Sequence, residues 1–441
     1  MRRLPKRFAG AESAPAGGGA QAGVPVAVKP VLPVAVPLGA DWPGRELLDS
    51  PMLARVLLSA WSGTPATLVP AAPGSGKSRL VSLLAPALAH RVGLRVAVAA
   101  QTREQAGELA RRISAVSDRA SLIVSGAGCL PVSASGVHTV TGRSVRWRHT
   151  SGGEILIGTA ARWLYVDPDV AGADLLVIDE AWQCTYADCG ALGALARSIV
   201  AVGDPGQIAP VVTGSTERWH GQGTGPHQPA PDALLAAYGD AITVHELTNS
   251  WRLGPQTCAL VSEYFYPHMP FTSRRPDEAV IAADGNELPE ILCRSVAANN
   301  GPTDPGLLAA LAERVRELTW HDYRRGQSCE ALTGYDIAVV VPHVAQAGAV
   351  RALLADMPEV LVGTVNSLQG LERPAVVALH PMAGYRSAES FALDPGRMCV
   401  TLTRHRAHLT IVVDPKTTAL LAVAAKHDSA ALHAAKVLAA L

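Results

Sequence analysis

Ala71-Ala-Pro-Gly-Ser-Gly-Lys77-Ser78 constrains this chain more than any other stretch. A Gly-Lys-Ser ending makes a phosphate loop only where a buried strand runs in and a helix runs out. Both flanks agree. Ala66-Thr-Leu-Val-Pro70 is an apolar strand pattern, and Arg79 to Leu88 is a helical one. In that setting Pro73, Gly74, Ser75 and Gly76 form a turn whose N–H groups face a phosphate, and the helix N-terminus adds a favourable dipole. Lys77 is placed to reach the β- and γ-phosphates, and Ser78 to hold Mg²⁺. A Gly-rich surface turn is the plain alternative, and it accounts for neither the lysine nor the flanks. Ala71 stands where the pattern usually has its first Gly.

The chain has 441 residues, 48% of them hydrophobic, which is enough for at least two domains with real cores. Lys plus Arg and Asp plus Glu balance at 38 each, so any nucleic-acid partner must be met by a local groove rather than by bulk charge. Seven dispersed cysteines include no C-x-x-C pair, which argues against a zinc ribbon or a redox pair and fits a reducing compartment. Arg2, Arg3, Lys6 and Arg7 are followed by no apolar h-region, so they do not begin a signal peptide. The apolar run Val24–Leu38 is broken by Pro25, Pro30, Pro33 and Pro37 and cannot be a membrane helix. The expectation is a cytoplasmic protein with no membrane partner.

Residues 1–40 are Ala-, Gly- and Pro-rich and read as a tail. From about residue 41, strand-like runs alternate with helical patterns. Leu94–Ala99, Ile155–Ile157, Leu175–Ile178 and Ile199–Val202 are strands, and Arg103–Ile113 is a helix. After a Gly/Pro/His-rich loop over 214–231 the alternation resumes, with strands at Ile337–Val341, Leu361–Gly363, Ala375–Leu379 and Leu409–Val413. This predicts α/β architecture, with parallel sheets flanked by helices. The expected division is 41–246 and 247–415, followed by terminal helices over 416–441. A small hairpin insertion is expected within 114–154.

Further motifs follow in order. Leu175-Leu-Val-Ile-Asp179-Glu180-Ala-Trp-Gln183 is an apolar strand ending in two carboxylates. Asp179 is placed beside the metal, and Glu180 can polarise a water as general base. In Val202-Gly-Asp-Pro-Gly-Gln207 a strand opens into a loop that presents Gln207 to the same strand-end crevice. Arg252 and Arg404 lie in the second half. Arginines from a second domain aimed at a nucleotide stabilise charge on the transferring phosphoryl group. A surface salt bridge is the ordinary use of any single arginine.

Taken together, these segments resemble superfamily 1 helicases, in the subgroup B branch with a DEAxQ motif. Asp179-Glu-Ala-Trp-Gln183 matches motif II, and Gly203–Pro210 is similar to motif III. Ser250-Trp-Arg252 is similar to the QYR segment. Val341-Pro342-His-Val-Ala-Gln346, Val362–Glu372 and Val400–Arg406 resemble three later motifs. The resemblance spans about residues 65–415. It implies two RecA-like domains with ATP and Mg²⁺ in the cleft between them. It places Lys77, Ser78, Asp179, Glu180, Gln207, Arg252, Gln369 and Arg404 on that cleft. Gln183 couples to motif II, and Gly370 and Glu372 lie near the nucleotide. A single strand of DNA or RNA runs across both domains, touching Thr102, Thr159, Pro342, Thr364 and Asn366. Family membership implies 5′→3′ movement.

Departures from the family pattern are visible. No upstream Gln is found near Leu53–Trp61, Trp251 replaces the family tyrosine, and His405 stands where Ala is usual. The small insertions bear on function. An ATP-dependent helicase or translocase is the leading reading. A nucleic-acid-stimulated ATPase that remodels complexes without unwinding is the alternative, and a nucleotide switch is a further one. Within His138–Glu154, read as a hairpin, Arg143, Arg146, Trp147, Arg148 and His149 alternate basic and aromatic character. That pattern suits a single-strand groove, with Arg146 and Arg148 as phosphate contacts. A solvated hairpin is the competing reading. The terminal segments are candidate partner sites.

Overall fold

A computed structural model describes residues 41–126, 131–141, 145–148 and 152–441. The tail over 1–40 lies outside the described residues. The first sheet has eight strands: β1 (Ala66–Pro70), β2 (Arg95–Ala100), β3 (Ala120–Val124), β4 (Thr139–Thr141), β5 (Glu154–Thr159), β6 (Ala173–Asp179), β7 (Ala196–Gly203) and β8 (Thr243–Val244). Their order is β4-β3-β5-β2-β6-β7-β1-β8, and every pairing is parallel. Parallel strands need long crossovers, and helices supply them. Helices α1 (Pro51–Trp61), α2 (Lys77–Arg91) and α3 (Arg103–Ser114) cover one face.

The period of two is legible in β2. Val96, Val98 and Ala100 pack under these helices, whereas Ala97 and Ala99 join the core on the other face. That second core is built around Trp163, which is 1% exposed and donates its indole N–H to the Val98 carbonyl at 2.9 Å.

The second sheet belongs to the later half. Its preceding strands are β9 (Asn249–Ser250), β10 (Thr272–Ser273) and β11 (Glu278–Ile281). Next come β12 (Ile291–Ser295), β13 (Asp322–Arg325), β14 (Ser328–Ala331), β15 (Ile337–Val341), β16 (Leu361–Thr364), β17 (Arg373–Leu379) and β18 (His405–Val413). The five-stranded sheet runs β12-β18-β17-β15-β16, again all parallel. The helices at Pro305–Leu318 and Val344–Leu353 pack one face, where Val339 and Val377 point. On the other face, Val340 and Val376 meet the Pro255–Phe265 helix and Val437 of the last helix. A small antiparallel sheet, β11-β13-β14, stands beside it. These are two RecA-like α/β units. Among the described residues no helix is long and apolar enough to cross a membrane.

Among the described residues, the expected hairpin over His138–Glu154 shows no antiparallel pairing. β4 pairs with β3 in parallel, and β3 in turn pairs with β5, so the segment widens the main sheet at its edge. The reason lies in burial. All five residues of β3 are buried, and a strand covered on both faces is stabilised by sheet neighbours rather than by a solvated turn.

Replacing Trp163 by Ala removes the largest fully buried side chain of its core and its bond to β2. The expected outcome is a loss of about 3–5 kcal/mol, read as a lower urea midpoint for the first unit. An unchanged midpoint would contradict the packing described.

Candidate active site

The phosphate-loop backbone is held from both sides. Ala71 donates its N–H to Gly203 at 2.9 Å, and Ala72 donates to Leu247 at 3.1 Å. Ala71 forms a parallel bridge with Leu247 and is fully buried. This is extended backbone, so it needs no glycine. Gly74 and Gly76 do, with φ of 73° and 90°. A Cβ on Gly74 would also come within 2.5 Å of the Arg252 Cβ. The loop therefore rests against the chain that leads into the second unit. The Ser250 hydroxyl donates to the Pro73 carbonyl at 2.7 Å, and the Trp251 N–H to the Gly74 carbonyl at 2.9 Å.

Gly76 starts α2, so the first N–H groups of the helix are not capped by a side chain. That is the arrangement an anion can use. The Lys77 ammonium, 10% exposed, lies 3.2 Å from Asp204 Oδ2.

β6 ends at Asp179, which is 4% exposed. Its Oδ1 has no protein partner. Burial raises its pKa first and the neighbouring Glu180 raises it further, while Lys77 pulls the other way. Glu180 adopts φ of 51°, the one left-handed non-glycine among the described residues. Such a conformation costs about 1–3 kcal/mol and is held by its surroundings. It turns the Glu180 side chain into the cleft, where Glu180 is a lining residue. Gln183 closes the turn with its N–H on the Glu180 carbonyl at 2.9 Å, and its own Nε2 is buried without a protein partner.

From the opposite wall come Arg252, Glu372, Arg404 and Arg406, around a cleft of about 440 Å³. Arg252 pairs with Glu372 through Nε and donates to the Thr403 carbonyl at 3.2 Å. Arg406 bonds Glu372 at 2.8 Å and, through two nitrogens, the fully buried Glu278 at 2.6 and 2.8 Å. Burial alone would raise the Glu372 carboxyl, but Arg252 and Arg406 outweigh it and hold it below the usual range. Arg404, 2% exposed, is pushed down to about 10, by burial first and then by Arg252. It remains a cation at neutral pH. Gln369 donates to Gln207 Oε1 at 3.2 Å, joining the two units, and Gly370 turns with φ of 83°.

The structure brings the proposed cleft residues together, with Pro73, Asp179, Gln183 and Gln369 one step behind the lining. Sequence reasoning missed Arg406, Asp204, Tyr266 and Glu278. Arg406 was legible as the second arginine of Thr-Arg-His-Arg. Asp204 was legible inside Gly-Asp-Pro-Gly-Gln. Tyr266, which donates its hydroxyl to Asp204, carries no local signal.

Among the proposed track contacts, Thr102 and Thr159 cap helices immediately after β2 and β5. Thr364 ends β16, and Asn366 accepts from Arg397 at 3.0 Å. Pro342 follows β15 but is buried. All five sit at C-terminal strand ends.

Arg146 and Arg148 do not join them. Arg148 pairs with Glu154 at 3.0 Å, the first residue of β5, and Trp147 donates to the Gly172 carbonyl at 2.9 Å. Arg95, the first residue of β2, lies over the Trp147 ring at 5.7 Å. This cluster sits at the N-terminal edge of the sheet, the length of a strand, about 16–20 Å, from the edge carrying Thr102 and Thr159. Its basic and aromatic residues serve the packing of that edge. Arg143 and His149 lie outside the described residues.

A divalent metal fits the residues present. Among the described residues no group of three or more His, Cys, Asp or Glu side chains could hold one alone. Mg²⁺ needs only one or two protein oxygens when nucleotide phosphates complete its shell. The unpartnered Asp179 Oδ1 and the Ser78 hydroxyl supply that sparse set.

This fold and this cleft define two RecA-like units, the first of which carries a phosphate-loop pattern. A family described as an AAA domain matches residues 55–228, and a second family of that description matches 308–416. These matches support the likeness of the chain to superfamily 1 helicases of the Upf-like branch. It is 23% identical over 263 residues to the mouse DNA-binding protein SMUBP-2, covering 55% of this chain and 25% of that protein. It is 23% identical over 266 residues to the Arabidopsis thaliana DNA replication ATP-dependent helicase/nuclease JHS1, covering 55% of this chain and 19% of that one. The chain thus spans a quarter or less of these relatives' length. Among solved structures it is similar to the PRRSV helicase, with a TM-score of 0.42 and 14% identity over 82% of this chain and 55% of that one.

The pairing of Arg148 with buried Glu154 yields a prediction. Arg148→Ala should lower stability by about 1–3 kcal/mol in thermal or urea unfolding. It should leave nucleic-acid affinity at the wild-type value across a salt series. A weakened and flattened salt dependence would restore the groove reading.

Proposed function

We propose that this protein hydrolyses ATP and uses the cycle to move along a single strand of nucleic acid. The observation that supports it best is the two-sided cleft. Lys77, Ser78, Glu180 and Gln207 from one unit face Arg252, Arg404 and Arg406 from the other. A nucleotide held by the first set draws in the second, so binding favours a closed arrangement and product release relaxes it.

Each residue has a distinct task. The loop N–H groups and Lys77 hold the phosphates. Ser78 and Asp179 would hold Mg²⁺, which supplies charge neutralisation on the phosphate oxygens. Glu180 accepts a proton from the attacking water, and Gln207 orients it. Arg252 and Arg404 stabilise negative charge as the phosphoryl group transfers. Glu372 and Glu278 hold Arg252 and Arg406 in place.

Thr102, Thr159, Thr364 and Asn366 offer polar contacts at the strand-end edge of both units, where a track would be gripped alternately. The names of the relatives SMUBP-2 and JHS1 make DNA the first track to test. The family resemblance supports a 5′→3′ direction. Remodelling of complexes without unwinding remains the second reading, favoured by how little chain is inserted between the motifs.

Steady-state ATPase assays with single-stranded DNA, single-stranded RNA and no polymer test this. Stimulation by one polymer, abolished in Lys77→Ala, is expected. Glu180→Gln should bind nucleotide near wild-type affinity while turnover drops about 10²-fold or more. Turnover indifferent to both polymers would remove the motor reading, and retained turnover in Glu180→Gln would remove Glu180 as base.

A further inference from the structure

The Asp204 carboxylate is 1% exposed and collects four donors. Lys77 Nζ lies 3.2 Å from Oδ2, and Gln207 Nε2 donates to the same oxygen at 2.6 Å. The Gly206 N–H reaches Oδ1 at 3.2 Å, and the Tyr266 hydroxyl donates to that oxygen too. Three donors come from the first unit. The fourth, Tyr266, comes from the end of the Pro255–Phe265 helix in the second.

The contact is closely built. Tyr266 is 3% exposed and stands edge-on to Phe271, with ring centres 5.2 Å apart. The loop before Gln207 lies flat against its ring. A Cβ on Gly206 would come within 2.4 Å of the Tyr266 Cζ. Gln369 holds the end of the same loop from the second unit.

A carboxylate offers about four lone-pair sites, and here all are used. One donor is the lysine that a phosphate requires. Asp204 therefore does for Lys77 what a phosphate oxygen would do. When a phosphate takes the lysine, the buried carboxylate keeps three neutral donors. A buried charge is tolerated only while hydrogen bonds compensate it. The phenol is the donor that the second unit controls.

We propose that Asp204 and Tyr266 set how readily Lys77 passes to a nucleotide phosphate. Asp204 holds the lysine, and Tyr266 compensates the carboxylate once the lysine leaves. Both are positioning residues. The inference rests on the cleft being the nucleotide site and makes Lys77 availability depend on contact between the units.

The two substitutions have opposite expected signs. Asp204→Asn removes the competing charge and should tighten nucleotide binding by about three- to tenfold. Tyr266→Phe removes one compensating donor, makes release of the lysine costlier, and should weaken binding by about three- to tenfold. In the Asp204→Asn background, Tyr266→Phe should change affinity by less than about twofold, because the charge it compensates is gone.

The measurement is equilibrium titration of the full chain with a fluorescent, non-hydrolysable ATP analogue and Mg²⁺, with melting curves for each variant. A merely structural role predicts weakening by both substitutions and additivity in the double variant, and either result overturns the proposal. If Asp204→Asn does not fold, Tyr266→Phe decides alone, and wild-type affinity there overturns the proposal. A wild-type chain that does not bind the analogue sinks the nucleotide-site reading and this inference together. Wild-type binding with the wrong signs sinks this inference only.

Discussion

Parallel pairing is the constraint on which the rest depends. In a parallel sheet every strand ends on the same edge, so the loops that follow neighbouring strands are neighbours themselves. β1 lies beside β7, and β7 beside β6. Adjacent strands stand about 4.8 Å apart, which brings the loops after residues 70, 179 and 203 within reach of one phosphate group. Distances in sequence of more than a hundred residues vanish in this way. The bond from Ala71 to Gly203 fixes the base of the phosphate loop directly to the strand that carries Asp204. A second parallel sheet places its own strand-end loops on the facing wall, and the cleft results from two copies of one rule.

The charge of the cleft follows a second rule. Guanidinium groups with little solvent need compensation, and each arginine here finds a different one. Arg406 is clamped between two carboxylates, Glu278 and Glu372. Arg252 shares Glu372. Among the described residues no carboxylate pairs directly with Arg404. It is held by the Val400 and Leu371 carbonyls at 3.1 and 3.4 Å and by the Thr403 hydroxyl at 3.0 Å. Carbonyls orient a cation without cancelling its charge, so Arg404 is the arginine with most net field left for an arriving phosphate. The hairpin strand β13 joins this network because Tyr323 donates to Glu278 at 2.7 Å.

Legibility in the sequence tracked the range of each interaction. The phosphate loop, Asp179-Glu180 and the Gln207 loop were readable because each is a local pattern whose flanks announce a strand and a turn. The two parallel α/β units were readable from alternation alone. The segment around Arg146 and Arg148 was hard to place for the opposite reason. Their composition suited a groove, but their position was decided by β3 pairing with both β4 and β5, which no local pattern reveals. Glu278 and Tyr266 were invisible in the same sense. Each looks like an ordinary surface or helix-end residue until the fold carries it to Arg406 or Asp204. Long-range pairings of buried charge are what a single sequence hides best.

The left-handed turn at Glu180 joins these threads. A non-glycine residue holds φ of 51° only where its neighbours leave no alternative. Gly203 is one such neighbour, since a Cβ there would lie 2.8 Å from both the Ala181 nitrogen and the Trp182 ring. Trp182 is anchored in turn by its indole N–H on Asp232 at 2.8 Å, in the helix at Ala230–Tyr238. The Asp232 carboxyl is raised by burial and restrained by that bond. The direction of the Glu180 side chain is thus set from below by β7 and from behind by a helix fifty residues on. The same β7 ends in the loop that carries Asp204. Motion of that strand end would shift the base candidate and the lysine's holder together, so the two halves of the phosphate site cannot be tuned independently.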